Sequence, residues 1–204
     1  MRLSARVFST DWVTANAPRW REVLAHLVGR SNVTMLEVGS FEGRSACWFL
    51  DEVLTSAGAG LVCVDTWGTP EVRARFDANT REAQREGRLL ALQGTSADVA
   101  ALCHPGTIDA IYVDGDHTAE AALTDAVNVW PALAEGGVLI FDDYGTDQFT
   151  ARAGIDVFLA AAGAGAEVLD VGYQLVVRKR GGAPLELRVC RMHGRAHLDG
   201  NFCG

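Results

Sequence analysis

The 204-residue sequence has no long apolar run and no excess of positive charge. No uninterrupted apolar stretch approaches the ~20 residues of a membrane-spanning helix, so we predict no membrane partner. Lys and Arg number 18 and Asp and Glu number 26, which gives a net charge of −8. Since a nucleic acid is bound mainly through its phosphates, this balance argues against a nucleic-acid partner.

Cysteine is also scarce and irregularly placed. The five cysteines are odd in number and share no short metal-ligand spacing: Cys47, Cys63, Cys103, Cys190 and Cys203. This pattern predicts neither a disulfide framework nor a zinc site, and it favours a reducing compartment. Residues 1–4 lead into polar sequence rather than the apolar core of a signal peptide. We therefore expect a cytoplasmic protein.

Hydrophobic residues make up 49% of the chain and charged residues 22%, a composition typical of a globular domain. The length predicts a single domain over residues 1–204. Within it, residues 1–30 are expected to form an N-terminal helical lid segment, because Trp12 and Trp20 precede the first strand. The alternative is that both rings belong to the core. For the tail 181–204 the pattern predicts no particular structure.

Short apolar runs rich in β-branched residues alternate with helical patterns. The predicted strands are 33–38, 61–64, 89–92, 108–113 and 137–141. The predicted helices are 11–28, 44–56, 71–86, 96–102, 119–134 and 150–162. Two further strands are expected between 167 and 180, interrupted at Gly172, one of them an antiparallel edge. This alternation predicts a three-layer, doubly wound α/β fold with a mostly parallel sheet.

Ligands of such folds bind beyond the carboxyl ends of the strands, so the residues there are the candidate site. The turn after the first predicted strand contains Gly39 and Gly43, which let the backbone approach a ligand closely. The turn lacks the three-glycine dinucleotide fingerprint, and a tight turn without a ligand is the alternative. Asp65 follows the second strand, 22 residues after Gly43, where an acidic residue commonly binds ribose hydroxyls.

Together the strand ends resemble those of class I S-adenosylmethionine-dependent methyltransferases. The segments that carry the resemblance are LEVGSFEGRS (36–45), DTWG (65–68), QGTS (93–96), IDAIYVDGDH (108–117) and GVLIFDDY (137–144). They are most similar to a small bacterial group that includes the macrocin-type sugar O-methyltransferases. The resemblance spans roughly residues 11–178. The sequence departs from many methyltransferases at Phe41, where a middle glycine is common.

The resemblance implies a set of residues that bind S-adenosylmethionine. They are Glu37, Gly39, Ser40, Phe41, Gly43, Ser45, Asp65, Thr66, Trp67, Thr95, Ser96 and Asp114. Glu37 would bind the amino group, Asp65 the ribose hydroxyls, and Trp67 and Ser96 would border the adenine. A Cβ at Gly39 would enter the space of the methionine carbons. Trp67 could instead simply cover the surface, and Ser96 could also cap the following helix.

Asp114, Asp142 and Asp143 end two strands that should be neighbours in the sheet. Three carboxylates in one crevice repel one another unless they are protonated, separated or bound to a cation. Oxygen ligands of this kind suit Mg²⁺, and metal-dependent O-methyltransferases of similar layout carry such a set. The alternative is an acidic turn without a metal, since Asp is common in turns.

Two residues are candidates for the base that accepts the proton of a hydroxyl. Histidine ordinarily titrates at about pH 6.5, so His117 could accept a proton at neutral pH. Asp116 is the rival, because macrocin-type relatives have been interpreted with a base at that position. His117 could also be a partly exposed residue at the start of a helix.

The sequence therefore predicts a Mg²⁺-assisted methyl transfer from S-adenosylmethionine to a hydroxyl of a small molecule: a sugar, a phenol or another natural-product intermediate. Alternatives are a metal-independent methyltransferase, an NAD-dependent oxidoreductase, and a cofactor-binding protein without catalysis. The oxidoreductase is disfavoured by the missing glycine fingerprint. A homo-oligomer is compatible with the sequence.

Overall fold

The computed structural model describes residues 6–181, 185, 189–192 and 195–198. The expectations for residues 1–4 and for Cys203 lie outside these ranges, as do much of the tail and the side chain of Cys190. Cys47, Cys63 and Cys103 are free thiols, as the sequence predicts.

Six helices and nine strands are formed by the described residues. The helices are α1 (Val13–Val23), α2 (Arg44–Glu52), α3 (Pro70–Arg85), α4 (Ser96–Ala100), α5 (Ala119–Val129) and α6 (Ala151–Ala162). The strands are β1 (Thr34–Val38), β2 (Gly60–Asp65), β3 (Leu89–Gln93), β4 (Ile108–Val113), β5 (Leu133–Phe141), β6 (Ala166–Val171), β7 (Leu175–Lys179), β8 (Val189–Met192) and β9 (Arg195–Leu198).

The main sheet has seven strands in the order β3-β2-β1-β4-β5-β7-β6. Strands β1 to β5 are parallel, whereas β7 runs antiparallel to both of its neighbours, β5 and β6. The predicted fold class is confirmed. The antiparallel strand β7 is the second strand from the end of the sheet, and β6 is the last. Strands β8 and β9 form a separate antiparallel pair within the tail.

Helices cover both faces of the sheet, and the strands are apolar on both sides. Alternate residues of one strand enter different cores: in β4, Ala110 packs with one cluster and Ile111 with the other. The first cluster includes the aromatic rings of Trp20, Phe49 and Phe76 from α1, α2 and α3. Burial on both faces explains why the sequence shows continuous apolar runs rather than alternation.

Several predicted boundaries are wrong. The helix predicted over 119–134 ends at Val129, and a 3₁₀ turn follows at Trp130–Ala132, because Pro131 cannot donate the next helical hydrogen bond. Strand β5 begins at Leu133 rather than at residue 137, and a shift of register against β4 absorbs the extra residues. The helix predicted over 11–28 is divided into α1 and a 3₁₀ turn at Ala25–Leu27.

Among the helices of the described residues, none has both the length and the apolar character required to cross a bilayer.

Candidate active site

The carboxyl ends of β1, β2, β4 and β5 meet at one edge of the sheet, as the sequence predicts. Within the described residues, four non-glycine residues have a positive φ, and three of them lie at this edge: Phe41 (45°), Trp67 (40°) and Asp143 (58°). Such backbone conformations cost on the order of 1–3 kcal/mol each and cluster at functional sites. The edge is therefore the candidate active site.

Asp65, the last residue of β2, holds the loop that follows β1. Its Oδ2 accepts hydrogen bonds from the backbone N–H groups of Ser40 (2.9 Å) and Phe41 (2.8 Å). Its Oδ1 accepts from the backbone N–H of Trp67 at 2.6 Å. These bonds occupy about three of the four acceptor positions of a carboxylate. The ribose-binding role of Asp65 stays a prediction, and the structure adds a role in shaping the loop.

The structure gives a steric reason for Gly39 within the chain itself. Gly39 has a φ of +84°, and a Cβ there would lie 1.9 Å from the backbone oxygen of Asp114. This contact within the chain requires a glycine by itself, and the expected proximity of Gly39 to the cofactor's methionine carbons stays a prediction. A side chain at this position would push apart the loops that follow β1 and β4.

Buried polar groups lie beneath this loop. Glu37 and Ser40 are both buried, and Glu37 Oε1 and Ser40 Oγ have no hydrogen-bond partner among the described residues. Burial raises the pKa of Glu37 above its usual range. Since an unpaired buried polar atom is costly, these oxygens are suited to contact a polar ligand.

The residues expected around the adenine are held in place by hydrogen bonds to other residues of the chain. Trp67 is buried rather than covering the surface, and its indole N–H donates to the backbone oxygen of Phe41 at 2.9 Å. The cap of α4 is Thr95, which exchanges hydrogen bonds with Asp98, and not Ser96 as considered above. Ser96 is buried and its hydroxyl accepts from Asn128.

Asp114, Asp142 and Asp143, here called the carboxylate cluster, lie together as predicted. Burial raises the pKa of Asp114 well above its usual range, and the charge of Asp142 raises it further. Burial likewise raises the pKa of Asp142. Tyr112, two residues before Asp114 on β4, donates its hydroxyl hydrogen to Asp114 Oδ2 at 3.0 Å. The cluster is thus a place where a proton or a cation would be stabilised.

The two candidate bases have different surroundings. His117 Nδ1 lies 2.5 Å from Oδ2 of the buried Asp143, and its ring stacks on Phe149 with centroids 4.4 Å apart. Asp116 is exposed, and its Oδ1 accepts the backbone N–H of Thr118 at the start of α5. Of the two, only His117 is oriented toward the carboxylate cluster by a buried partner.

A group suited to hold a metal ion also lies here, although its membership differs from the predicted set. Ligand atoms of Asp114, His117 and Asp143 all lie within 4.8 Å of one another. Asp142 is not in this group, and its Oδ1 accepts a hydrogen bond from Gln174 Nε2 at 2.5 Å. The predicted set of Asp114, Asp142 and Asp143 stays a prediction.

Besides Tyr112, three more residues that contact or support this cluster were not predicted from the sequence. Tyr173 donates its hydroxyl hydrogen to Asp143 Oδ1, and Gln174 binds Asp142. The indole N–H of Trp20 donates to Gln174 Oε1 at 2.7 Å. Trp20 is 1% exposed, so it is a core residue, whereas Trp12 is 64% exposed, so the alternative that both rings belong to the core is wrong. No short motif relates these residues to the aspartates, which are 30 or more positions away.

The N-terminal segment lies beside the loop of residues 39–43 that follows β1, here called the glycine loop. The Trp12 ring is 64% exposed and its centroid is 5.8 Å from that of Phe41. Ser9 binds the buried Glu42 through its backbone N–H at 2.6 Å and its hydroxyl at 2.9 Å. These contacts place the predicted lid segment next to the glycine loop. Closure of the lid segment over a ligand stays a prediction.

The family comparison matches the segment that builds this edge. A methyltransferase domain family matches residues 36–144, which is just over half of the chain. The chain belongs to this methyltransferase domain family. The matched residues run from β1 to the end of β5 and include the glycine loop, Asp65 and the carboxylate cluster. The class expected from the sequence, a class I S-adenosylmethionine-dependent methyltransferase, is confirmed.

The chain is also distantly similar to a viral protein. The uncharacterized protein R132 of Acanthamoeba polyphaga mimivirus is 24% identical over 127 residues, covering 60% of this chain and 57% of R132. The chain thus spans just over half the length of that relative.

Two solved structures illustrate the likeness of the fold. An O-methyltransferase from Bacillus cereus in complex with SAH has a TM-score of 0.62 and 19% identity, covering 87% of this chain and 84% of that one. A candidate rRNA methylase from Clostridium thermocellum has a TM-score of 0.63 and 11% identity, covering 80% and 97%. At these identities the likeness establishes the fold.

Proposed function

We propose that the chain transfers a methyl group from S-adenosylmethionine to a hydroxyl group of a small molecule, with Mg²⁺ bound at the carboxylate cluster. Family membership supports the methyl donor. The observation that carries the hydroxyl as acceptor is the contact between His117 and the buried Asp143 at the ends of β4 and β5. A hydroxyl group must lose its proton when it is methylated, and this pair provides an oriented base for that proton.

Residues around the glycine loop fit the donor. Glu37 Oε1 and Ser40 Oγ are buried acceptors without a partner among the described residues, and the amino group of the donor is a cationic hydrogen-bond donor. Asp65 shapes the loop and would bind a ribose hydroxyl with its remaining acceptor position. When bound, S-adenosylmethionine supplies a methyl group on a sulfonium and leaves as neutral S-adenosylhomocysteine.

His117 would be the general base. A hydrogen bond from Nδ1–H to Asp143 fixes the tautomer in which Nε2 has a free lone pair. Nε2 would then take the proton of the acceptor hydroxyl, and Asp143 would stabilise the resulting imidazolium. Asp116 is not assigned this role, because its carboxylate is exposed and binds the start of α5.

The carboxylate cluster fits Mg²⁺ by its donor set. Asp114, Asp142 and Asp143 would hold the ion, which would supply a positive charge that lowers the pKa of the acceptor hydroxyl. His117 Nδ1 and Asp143 Oδ2 are 2.5 Å apart, within hydrogen-bond distance, so we assign His117 the role of the base and not that of a ligand.

The acceptor is assigned to the small molecules rather than to RNA. The net charge of −8 disfavours binding through phosphates. The Clostridium thermocellum structure shares the fold only, and fold alone does not define the acceptor.

Release of S-adenosylhomocysteine from S-adenosylmethionine in the presence of catechol, simple phenols and methyl glycosides would test the function. We expect turnover with at least one of these acceptors. His117→Ala should lose most of this turnover. His104→Ala is its matched control, because His104 is exposed and precedes β4 at the opposite edge of the sheet. Absence of turnover across the panel, together with methylation of RNA, would contradict the assignment.

Metal removal provides a separate test of the Mg²⁺ site. Since a ligand stabilises the state that binds it, the melting temperature should rise with the logarithm of Mg²⁺ concentration above the Kd. Activity should be lost in EDTA and restored by Mg²⁺. A melting temperature independent of Mg²⁺, with full activity in EDTA, would leave His117 as the base of a metal-independent methyltransferase.

A further inference from the structure

The geometry points to residues 172–174, here called the positioning turn, as the element that orients Asp142 and Asp143 for the reaction. The turn joins β6 to β7 and lies about 30 positions after the aspartates. Tyr173 and Gln174 would be positioning residues: each holds one aspartate, and neither is assigned a contact with the reacting atoms. The inference rests on the function proposed above.

Gln174 holds Asp142 in a defined orientation. Its Nε2 donates to Asp142 Oδ1 at 2.5 Å, and its Oε1 accepts from Trp20 Nε1 at 2.7 Å. Because an indole can only donate, Oε1 must face Trp20 and Nε2 must face Asp142. Gln174 is 5% exposed. The reversed amide would leave the buried indole N–H without an acceptor, so Trp20 fixes the group that binds Asp142.

Tyr173 holds Asp143 in a complementary way. Its hydroxyl donates to Asp143 Oδ1, which leaves Oδ2 for the imidazole of His117. Asp143 is 2% exposed, so each oxygen depends on a protein donor. Without Tyr173, Oδ1 would be a buried acceptor free to rotate toward His117. The tyrosine thus determines which oxygen orients the base.

The backbone fixes the turn against the loop that follows β5. The N–H of Gly145 donates to the backbone oxygen of Tyr173 at 2.9 Å. Within the turn, the N–H of Gly172 donates to the backbone oxygen of Gln174, also at 2.9 Å. A Cβ at Gly145 would lie 2.2 Å from the backbone oxygen of Gly172. This close approach brings the two side chains of the turn onto adjacent aspartates.

An NMR experiment tests the connection through Gln174 without an acceptor or a methyl donor. The sequence has five tryptophans, and the indole N–H signal of Trp20 is identified by its loss in Trp20→Phe. We expect this signal to shift in Gln174→Met and in Asp142→Asn, because both changes alter the bonds of the Gln174 amide. Asp156→Asn, a change at a half-exposed residue of α6, should leave it in place. An unchanged signal in Gln174→Met and Asp142→Asn would overturn the inference.

Kinetics test whether the orientation matters for the reaction. Removing one hydrogen bond to a charged group should lower kcat roughly ten- to a hundredfold in Gln174→Met and in Tyr173→Phe. S-adenosylhomocysteine affinity should stay within about twofold, since a bond to the aspartates is lost and not one to the donor. Trp20→Phe should lower kcat on its own but have no further effect in a Gln174→Met background.

Matched controls separate these effects from lost packing. Trp48→Phe makes the same change in the aromatic cluster around Trp20, with ring centroids 5.1 Å apart. Tyr144→Phe removes a tyrosine hydroxyl that binds Asp156 rather than the carboxylate cluster. Both should keep the wild-type kcat.

If Trp20→Phe and Tyr173→Phe lower kcat no more than their controls, the positioning role is wrong. If the wild type methylates no acceptor, the proposed function fails, and the NMR shifts still decide whether Gln174 connects Trp20 to Asp142.

Discussion

The two halves of the strand-end edge are built in different ways. In the half formed by β1 and β2, one carboxylate, that of Asp65, holds the loops that follow both strands through three backbone N–H groups. In the half formed by β4 and β5, the aspartates are held by side chains of Tyr112, Tyr173 and Gln174. The first half is thus defined by backbone shape and the second by side-chain orientation. The difference suits the two tasks proposed above, binding one fixed donor and orienting an acceptor for reaction.

The largest effect is expected from His117. His117→Ala should lower turnover about 10²- to 10⁴-fold, the usual contribution of a general base. His104→Ala, measured with the same acceptor, should behave as wild type. Equal turnover of His117→Ala and wild type would remove the imidazole from the mechanism and leave the second half without its base.

A change at Gly39 would break the contact between the two halves. Gly39→Ala should lower the free energy of unfolding by about 2 kcal/mol more than Gly87→Ala, because overpacking against backbone typically costs about 1–3 kcal/mol. Gly87 also has a positive φ, of 69°, but a Cβ there would have no atom of the described residues within 4 Å. Urea unfolding of the two variants measures the difference. Equal losses would show that the loops after β1 and β4 separate easily.

The smallest effect concerns the charge of the carboxylate cluster in EDTA. Because burial raises the pKa of Asp142, the contribution of this residue to stability is fullest below the ordinary pKa of Asp and falls as pH rises through its folded-state pKa. Asp142→Asn removes this loss and should be more stable than wild type by on the order of 1 kcal/mol at neutral pH.

The stability difference between Asp142→Asn and wild type should therefore shrink as pH falls toward ~3, since both side chains are then uncharged. Denaturant unfolding across this pH range measures it, with Asp156→Asn as the control for an exposed carboxylate of α6. A difference that is the same at every pH would mean that packing, and not charge, distinguishes the variant.

The sequence predicts the residues at the strand ends but not the side chains that hold the aspartates from distant elements. The glycine loop, Asp65 and the three aspartates follow directly after apolar runs, so strand-end reasoning identifies them and brings them to one edge. The roles of Trp20, Tyr173 and Gln174 depend on how α1 and the β6–β7 turn pack on the sheet. Such long-range packing leaves no fixed spacing in the sequence, so no motif predicts it.

Tyr112 is an intermediate case. It lies two residues before Asp114 on β4, and the period of a strand puts both side chains on one face, so this contact could be predicted. The boundary of β5 could not be predicted in the same way. A shift of register depends on the neighbouring strand and not on local sequence alone.

The most direct test of this account is the binding of S-adenosylhomocysteine, measured by calorimetry, to Asp65→Ala and to His117→Ala. Asp65→Ala should weaken binding by about 1.5–3 kcal/mol, the worth of a hydrogen bond to a charged group. His117→Ala should bind as wild type. Asp109→Ala is the control for Asp65→Ala, because Asp109 also accepts a backbone N–H, that of Thr34, but at the opposite edge of the sheet. Wild-type affinity in Asp65→Ala, or lost affinity in His117→Ala, would contradict the division of the site into a donor half and an acceptor half.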